Sequence, residues 1–201
     1  MTLQIPHLSC YALTVEPKTA LENFIEKGIL PPVEDAIAEE HHRILIEKTE
    51  ALGYLNYEFS NFCIPGWESQ NNSAYWQGKS YLGIGPSAHS YDGATRSWNV
   101  ANNTLYLKSI AKEELPLERE ILSKVDQYNE FVMTRLRTAN GISLQEVTSL
   151  FGASFLMYLE KQMAQYITKQ LLMVDGEFVK VTKRGKFLTD GISSDLFMLG
   201  P

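Results

Sequence analysis

Three segments of this chain end in residues able to do chemistry. Thr14-Val15-Glu16-Pro17 offers a hydroxyl and a carboxylate. Ser60-Asn61 offers a hydroxyl and an amide. Gly83-Ile84-Gly85-Pro86-Ser87-Ala88-His89 offers two glycines, a hydroxyl and an imidazole. Each follows an apolar stretch that reads as a β-strand: 8–15, 54–60 and 81–85. In parallel barrels and doubly wound sheets, ligands bind where strands end. Polar groups at three such exits therefore describe the rim of a pocket. Strand ends also need turn and capping residues of these types, so the pattern alone leaves both roles open.

Other groups are less telling. Gly83-Ile84-Gly85 lets backbone approach a ligand closely, but it is neither GxGxxG nor a P-loop. His41 and His42 are adjacent on one helix and cannot clamp a metal together. Of the four histidines, His7, His41, His42 and His89, the last is the best candidate for a functional imidazole, and a structural hydrogen-bonding role for it is equally open. Cys10 and Cys63 are too few for a zinc site or an iron–sulfur cluster on their own and read as reduced core thiols. Tyr75-Trp76, at the end of a polar helical stretch 68–76, offers either walls on which a flat ligand can stack or a core anchor under a loop.

The elements that would position these groups follow from periodicity. The stretch 8–15 is apolar without a polar alternate face, the signature of a strand buried on both sides in a parallel sheet. A short helix spans about 20–27. A long helix spans about 33–52, with an apolar stripe of Val33, Ile37, His41, Ile44, Leu45, Lys48 and Leu52. Strand, helix, helix, strand, helix, strand is βα repetition and predicts a parallel sheet or barrel. Residues 61–66 read as an irregular loop, 95–100 as an edge strand and 103–111 as a helix. Lys112-Glu113-Glu114-Leu115-Pro116 is the candidate domain boundary. Beyond it come helices over 126–138, from Ser143, and over 153–170. A hairpin around Asp175-Gly176 and a closing helix over 182–199 follow, which is a winged-helix order.

The 201 residues carry a net charge of −6 and are 44% hydrophobic. The acidic excess lies in 1–120, and neither part has the basic surplus that phosphate-backbone binding needs. The wing tip Asp175-Gly176-Glu177 would repel phosphates, so no nucleic-acid partner is expected. No run approaches the ~20 apolar residues of a membrane span, and no signal peptide is evident. The expectation is a cytoplasmic protein.

Taken together, His7-Leu8-Ser9-Cys10-Tyr11-Ala12-Leu13-Thr14-Val15-Glu16-Pro17-Lys18-Thr19, Gly53-Tyr54-Leu55-Asn56-Tyr57-Glu58-Phe59-Ser60-Asn61-Phe62, Tyr75-Trp76 and Tyr81-Leu82-Gly83-Ile84-Gly85-Pro86-Ser87-Ala88-His89-Ser90 resemble the oxygen-independent coproporphyrinogen III oxidase family. Within it they resemble the HemW-like branch, as does Val181-Thr182-Lys183-Arg184-Gly185-Lys186. The resemblance covers nearly the whole chain. It implies an α/β fold: part of an open TIM-like radical SAM barrel over 1–115, then a mainly helical winged-helix-like domain over 116–201.

The same resemblance implies, in full-length relatives, a [4Fe–4S] cluster on CxxxCxxC that cleaves S-adenosylmethionine. True oxidases decarboxylate coproporphyrinogen III, whereas the HemW branch binds haem and delivers it to accepting proteins. CxxxCxxC is absent from this chain. The expectation is therefore a C-terminal portion of a longer protein, inactive alone in radical chemistry, with self-association through an exposed first strand. The alternatives are a genuine oxidase and a free-standing haem-binding module. Carried over residue by residue, Glu16, Asn61, Gly83, Gly85, Ser87, Ala88 and His89 would line the barrel mouth. Asn72, Tyr75 and Trp76 would belong to a haem-associated motif. That motif is usually HNxxYW. Its histidine is Asn71 here, and an amide is a poor iron ligand.

Overall fold

The computed structural model describes residues 4–199. It divides into two compact units, Met1–Ser69 and Gln70–Pro201. No helix among the described residues is long and apolar enough to cross a membrane.

The first unit holds β1 (His7–Ser9), α1 (Ala20–Glu26), α2 (Asp35–Ala51), β2 (Leu55–Glu58) and β3 (Asn61–Cys63). The strands form a sheet in the order β1-β3-β2, with both pairings antiparallel. The expected parallel sheet is therefore not what these strands make. Residues 61–66, expected as loop, instead begin with the central strand, and all three β3 residues are buried. A tight turn at Phe59-Ser60 folds β3 back on β2, with a register shift between Asn56 and Glu58.

The first strand is also shorter than expected. β3 is only three residues long, so it can pair with only a few residues of β1. The last backbone bond along that side is from Cys10 N–H to the Ser60 carbonyl, 2.8 Å. Residues 10–16 carry no regular structure, and Tyr11 and Leu13 are exposed, at 74% and 63%.

Helix α2 forms as its periodicity predicts, but it packs through a different face. Ile46 and Thr49 are the buried positions, while Ile37 and Ile44 of the expected stripe are exposed. The hydroxyl of Thr49 bonds back to the Leu45 carbonyl at 2.8 Å, which lets a polar residue sit inside. His42 stacks on Phe59 with ring centroids 4.8 Å apart, whereas His41 faces outward.

The second unit opens with α3 (Gln70–Trp76), β4 (His89–Tyr91), β5 (Thr95–Asn99), α4 (Asn103–Ile110) and β6 (Leu117–Ile121). The antiparallel sheet runs β4-β5-β6, so the expected edge strand at 95–100 is its centre. The expected strand 81–85 is reduced to a single bridge, Tyr81 with Tyr91. Leu82 and Ile84 are fully outside, at 79% and 84% exposed. The sequence 112–116 forms the connection from α4 to β6, and β6 pairs back onto β5.

The remaining elements are α5 (Lys124–Leu136), β7 (Ile142–Ser143), α6 (Leu144–Phe151), α7 (Ala153–Thr168), β8 (Leu172–Asp175), β9 (Phe178–Val181), a 3-10 turn (Lys186–Leu188) and α8 (Thr189–Asp195). The helix, helix, helix, hairpin order is present, and the hairpin sheet runs β7-β9-β8. Tyr128, Val132 and Leu136 of α5 project from one face into a core with Val147, Leu159, Leu172, Val179 and Leu196. Their spacing of four is the i, i+4 ridge of a packed helix. Ser123 and Asp126 form a reciprocal capping box at the start of α5.

Candidate functional site

The sequence expectations fall into three clusters. The richest surrounds α3. Arg135, on α5, donates from Nη1 to the carbonyl of Trp76 at 3.0 Å. The Arg137 guanidinium lies 5.2 Å from the centroid of the Trp76 ring. Two guanidinium groups, from the last turn of α5 and from its C-cap residue, therefore hold the last residue of α3, one at its backbone and one at its ring. That satisfies a carbonyl the helix end would otherwise leave open and fixes the indole by cation–π attraction.

Tyr75, beside Trp76, meets the edge of Tyr81 with ring centroids 4.8 Å apart, and Tyr81 lies 6.0 Å from Tyr91. These rings, with Phe131 and Phe151, wall a cavity of about 410 Å³. That is within the range of small-molecule sites, about 300–1,000 Å³. Tyr75 is partly open to solvent, at 45%. Three charged residues line the same space, Arg96, Glu130 and Arg135, and Arg96 is ion-paired with Glu130. Burial raises the Glu130 carboxyl above its usual range; Arg96 opposes this, while Asp126 and Glu120 add to it. Burial likewise raises Tyr81 and Tyr91. Both are neutral phenols at neutral pH, and the Tyr91 hydroxyl donates to the Gly93 carbonyl at 3.3 Å. The arrangement is an aromatic, partly polar cavity. Sequence reasoning found Tyr75 and Trp76. It missed Tyr81, Tyr91, Arg96, Glu130 and Arg135, which meet only through the fold. The single available signal was tyrosine on either side of the Gly83–His89 segment.

The second cluster holds Gly83, Gly85, Ser87, Ala88 and His89. Here Gly83 approaches the protein's own backbone, whereas Gly85 is needed for its positive φ of 109. A Cβ at Gly83 would run into the carbonyl of His89. The buried Asn99 amide donates to the Gly85 carbonyl at 2.9 Å, and the Gly85 N–H reaches the Tyr106 hydroxyl at 3.2 Å. Ser87 sits at φ 60, in the left-handed region, with its N–H on the Val100 carbonyl. The Ala88 carbonyl accepts from Asn99 N–H at 3.0 Å. His89 is exposed opposite Trp98, 6.0 Å between centroids. Ser87 and His89 border an open depression of about 570 Å³.

The third cluster lies in the first unit. Asn61 is buried, its carbonyl oxygen accepting from Ser9 Oγ at 2.5 Å and its amide nitrogen donating to the Glu58 carboxylate. Asn56 donates to the Glu58 and Asn61 carbonyls. Both ends of the Asn61 amide are engaged within the sheet, which pins β1, β2 and β3 together. Glu16 is exposed, and its carbonyl accepts from the Thr19 hydroxyl at 2.7 Å at the start of α1.

Among the described residues, no group of three or more His, Cys, Asp or Glu is placed to hold a metal ion. The chain's two cysteines do not make the ligand set of an iron–sulfur cluster. Cys63 is buried and its thiol is raised by that burial, with Glu68 adding to the effect. This is the opposite of the thiolate a cluster requires.

Residues 122–188 match the HemN C-terminal domain. The chain is similar to the heme chaperone HemW of Mycobacterium tuberculosis, at 33% identity over 94% of this chain and 46% of that protein. It is also similar to the heme chaperone HemW of Bacillus subtilis, at 34% identity over 94% of this chain and 50% of that one. It thus spans about half the length of the curated relatives it matches. Among solved structures it is similar to the coproporphyrinogen III oxidase HemN from Escherichia coli, a radical SAM enzyme. The TM-score is 0.59 and the identity 21%, over 77% of this chain and 40% of that one.

Proposed function

Because the chain is HemW/HemN-like over most of its length and carries a HemN C-terminal domain at 122–188, we propose that it serves a HemW-type, haem-related function, with the aromatic cavity beside Tyr75 and Trp76 as the haem-contacting surface. The carrying observation is the pair of guanidinium groups of Arg135 and Arg137, which hold the Tyr75-Trp76 end of α3 against a ring-lined slot. A porphyrin is flat and apolar with a polar edge. Aromatic walls beside charged groups are the matching surface.

In this reading Trp76 and Tyr81 face the macrocycle and Tyr75 guards the mouth. Asn71, in the place of the usual histidine, leaves iron ligation to other donors. Asn72 belongs to the same helix turn. Asn61 holds the sheet of the first unit together, Glu16 stands exposed before α1, and Gly83, Gly85, Ser87, Ala88 and His89 form the segment that packs on β5 in the second unit. The partners are haem and the proteins that accept it. A [4Fe–4S] cluster and S-adenosylmethionine belong to the full-length relatives. With only Cys10 and Cys63 as thiol donors, this chain alone starts no radical reaction. The likeness to HemN, at 21% identity, speaks for the fold alone and does not single out coproporphyrinogen decarboxylation.

Haem titration of the 201-residue chain, followed in the Soret region, tests the proposal. The expected result is one saturable site, strongly weakened in Trp76→Ala. A titration that rises without saturating, or is unchanged by Trp76→Ala, removes it. Anaerobic reconstitution with iron and sulfide tests the cofactor reading. A stoichiometric cluster that cleaves S-adenosylmethionine on this chain would overturn it.

A further inference from the structure

The charges lining the α3 cavity run against the rest of the chain. Two guanidinium groups, Arg96 and Arg135, and one carboxylate, Glu130, line it, whereas the chain as a whole carries −6. The two arginines are not equivalent. Arg135 is committed to the Trp76 carbonyl and to Glu146. Arg96, on the central strand β5, spends its guanidinium on Glu130, which itself lines the cavity from α5. Both members of this pair are partly withdrawn from water, with side chains 34% and 22% exposed. The Arg96–Glu130 pair is therefore a carboxylate already seated on a carboxylate receptor, at the edge of an aromatic slot.

Resting on the reading of this cavity as a haem-related site, we propose that Arg96 receives a carboxylate of the ligand and that Glu130 is the resident competitor which that carboxylate displaces. The ligand class is then a flat aromatic molecule bearing at least one carboxylate, with the corresponding ester or neutral ring excluded from this contact. A guanidinium fork recognises either carboxylate in the same geometry, so the exchange trades one charge-assisted pair for another. What decides it is the fate of Glu130. Its surroundings already disfavour the ionised form, through burial and through the neighbouring Asp126 and Glu120. Once Arg96 turns to the ligand, its opposing attraction is withdrawn, and burial with the neighbouring carboxylates favours the protonated form of Glu130. Seating of the ligand is thereby coupled to uptake of one proton. A ligand without a carboxylate gains the ring contacts but leaves the resident pair intact.

The test compares haem with haem dimethyl ester on the full chain and on Glu130→Gln and Arg96→Gln, each titrated by Soret absorbance. Glu130→Gln is expected to bind haem about three- to tenfold more tightly, in the range of a partly screened ion pair, with the diester unchanged. Arg96→Gln is expected to weaken haem by a similar factor, again with the diester unchanged. Calorimetry in two buffers of different ionisation heat is expected to show proton uptake with haem on the parent chain and none on Glu130→Gln. If both variants shift haem and diester alike, or shift neither, the proposal falls. In that case Trp76-sensitive binding of both ligands leaves the cavity reading standing. If neither ligand shows a saturable, Trp76-sensitive site, both readings fall. Should Arg96→Gln fail to fold, Glu130→Gln with the two ligands and the proton count decides the matter.

Discussion

Arg135 and Trp76 are joined by a hydrogen bond of 3.0 Å from guanidinium to backbone carbonyl, so the end of α3 is set by a residue 59 positions away. The same side chain lies 5.1 Å from the Phe131 ring. It links the packing of α5 to the placement of Tyr75 and Trp76. Arg135→Met keeps the aliphatic stem but leaves that carbonyl without its donor. The expected cost is about 1–2 kcal/mol, read as a lower urea midpoint, together with weakened haem binding. Arg135→Lys is expected to recover part of both.

Gly83 is expected to tolerate no side chain. The carbonyl of His89 occupies the space a Cβ would take, and that carbonyl belongs to β4 and cannot swing aside as a side-chain tip would. Gly83→Ala is expected to lose about 1–3 kcal/mol, the usual range for overpacking. Denaturant unfolding measures the loss. Faster amide exchange at Gly83, whose N–H bonds to Ser90 Oγ at 2.9 Å, would locate it. A variant as stable as the parent would show that the 83–89 segment is free to move apart.

Asp92 gives the β4–β5 turn a pH dependence. Its carboxylate accepts from the Thr95 hydroxyl and from the N–H groups of Ala94 and Thr95. These bonds hold its pKa down to about 2, against an ordinary 3.8. A depressed carboxyl contributes its full stabilisation above the unfolded-state value, and that contribution is lost as pH falls through the folded one. The stability difference between the parent and Asp92→Ala is therefore expected to be complete above about pH 4 and to shrink steadily toward pH 2. Urea midpoints measured across that window check it. A difference that stays constant would contradict the assignment.

Tyr11 and Leu13 stand exposed just beyond the short pairing of β1. A cavity of about 370 Å³ beside them is lined also by Val33 and Ile37. Apolar surface of this kind favours association. Light scattering is expected to show concentration-dependent self-association of the chain, reduced by Leu13→Lys. A monomer at all concentrations would set this aside.

Much of the helical structure was legible because its signals are local. The α1, α4, α6 and α7 boundaries follow periodicity and caps such as Thr19, Asn102 and Ser143. The Asp175-Gly176 turn placed the β8–β9 hairpin. The strands were less legible. A run such as 8–15 states that residues are apolar but not how many will find a partner. β3 is three residues long, and it, rather than the hydropathy of the run, limits β1. Residues 61–66 lacked alternation because all three positions of β3 are buried, so the central strand read as loop.

For the candidate site, the local sequence determined that Tyr75 and Trp76 end a short helix, that a glycine-bearing segment follows, and that the cysteines are too few for a cluster. Those are statements about residue type and near spacing, which short-range sterics and ligand counts govern. Only the tertiary structure decided that Gly83 yields to its own backbone, that Arg135 and Arg137 converge on Trp76, and that Arg96 meets Glu130 at the wall of the same cavity. The pairs Arg135–Trp76 and Arg96–Glu130 join elements 59 and 34 residues apart. Hydrogen bonds and ion pairs act over a few ångströms of space, and packing alone sets which distant residues come within that reach.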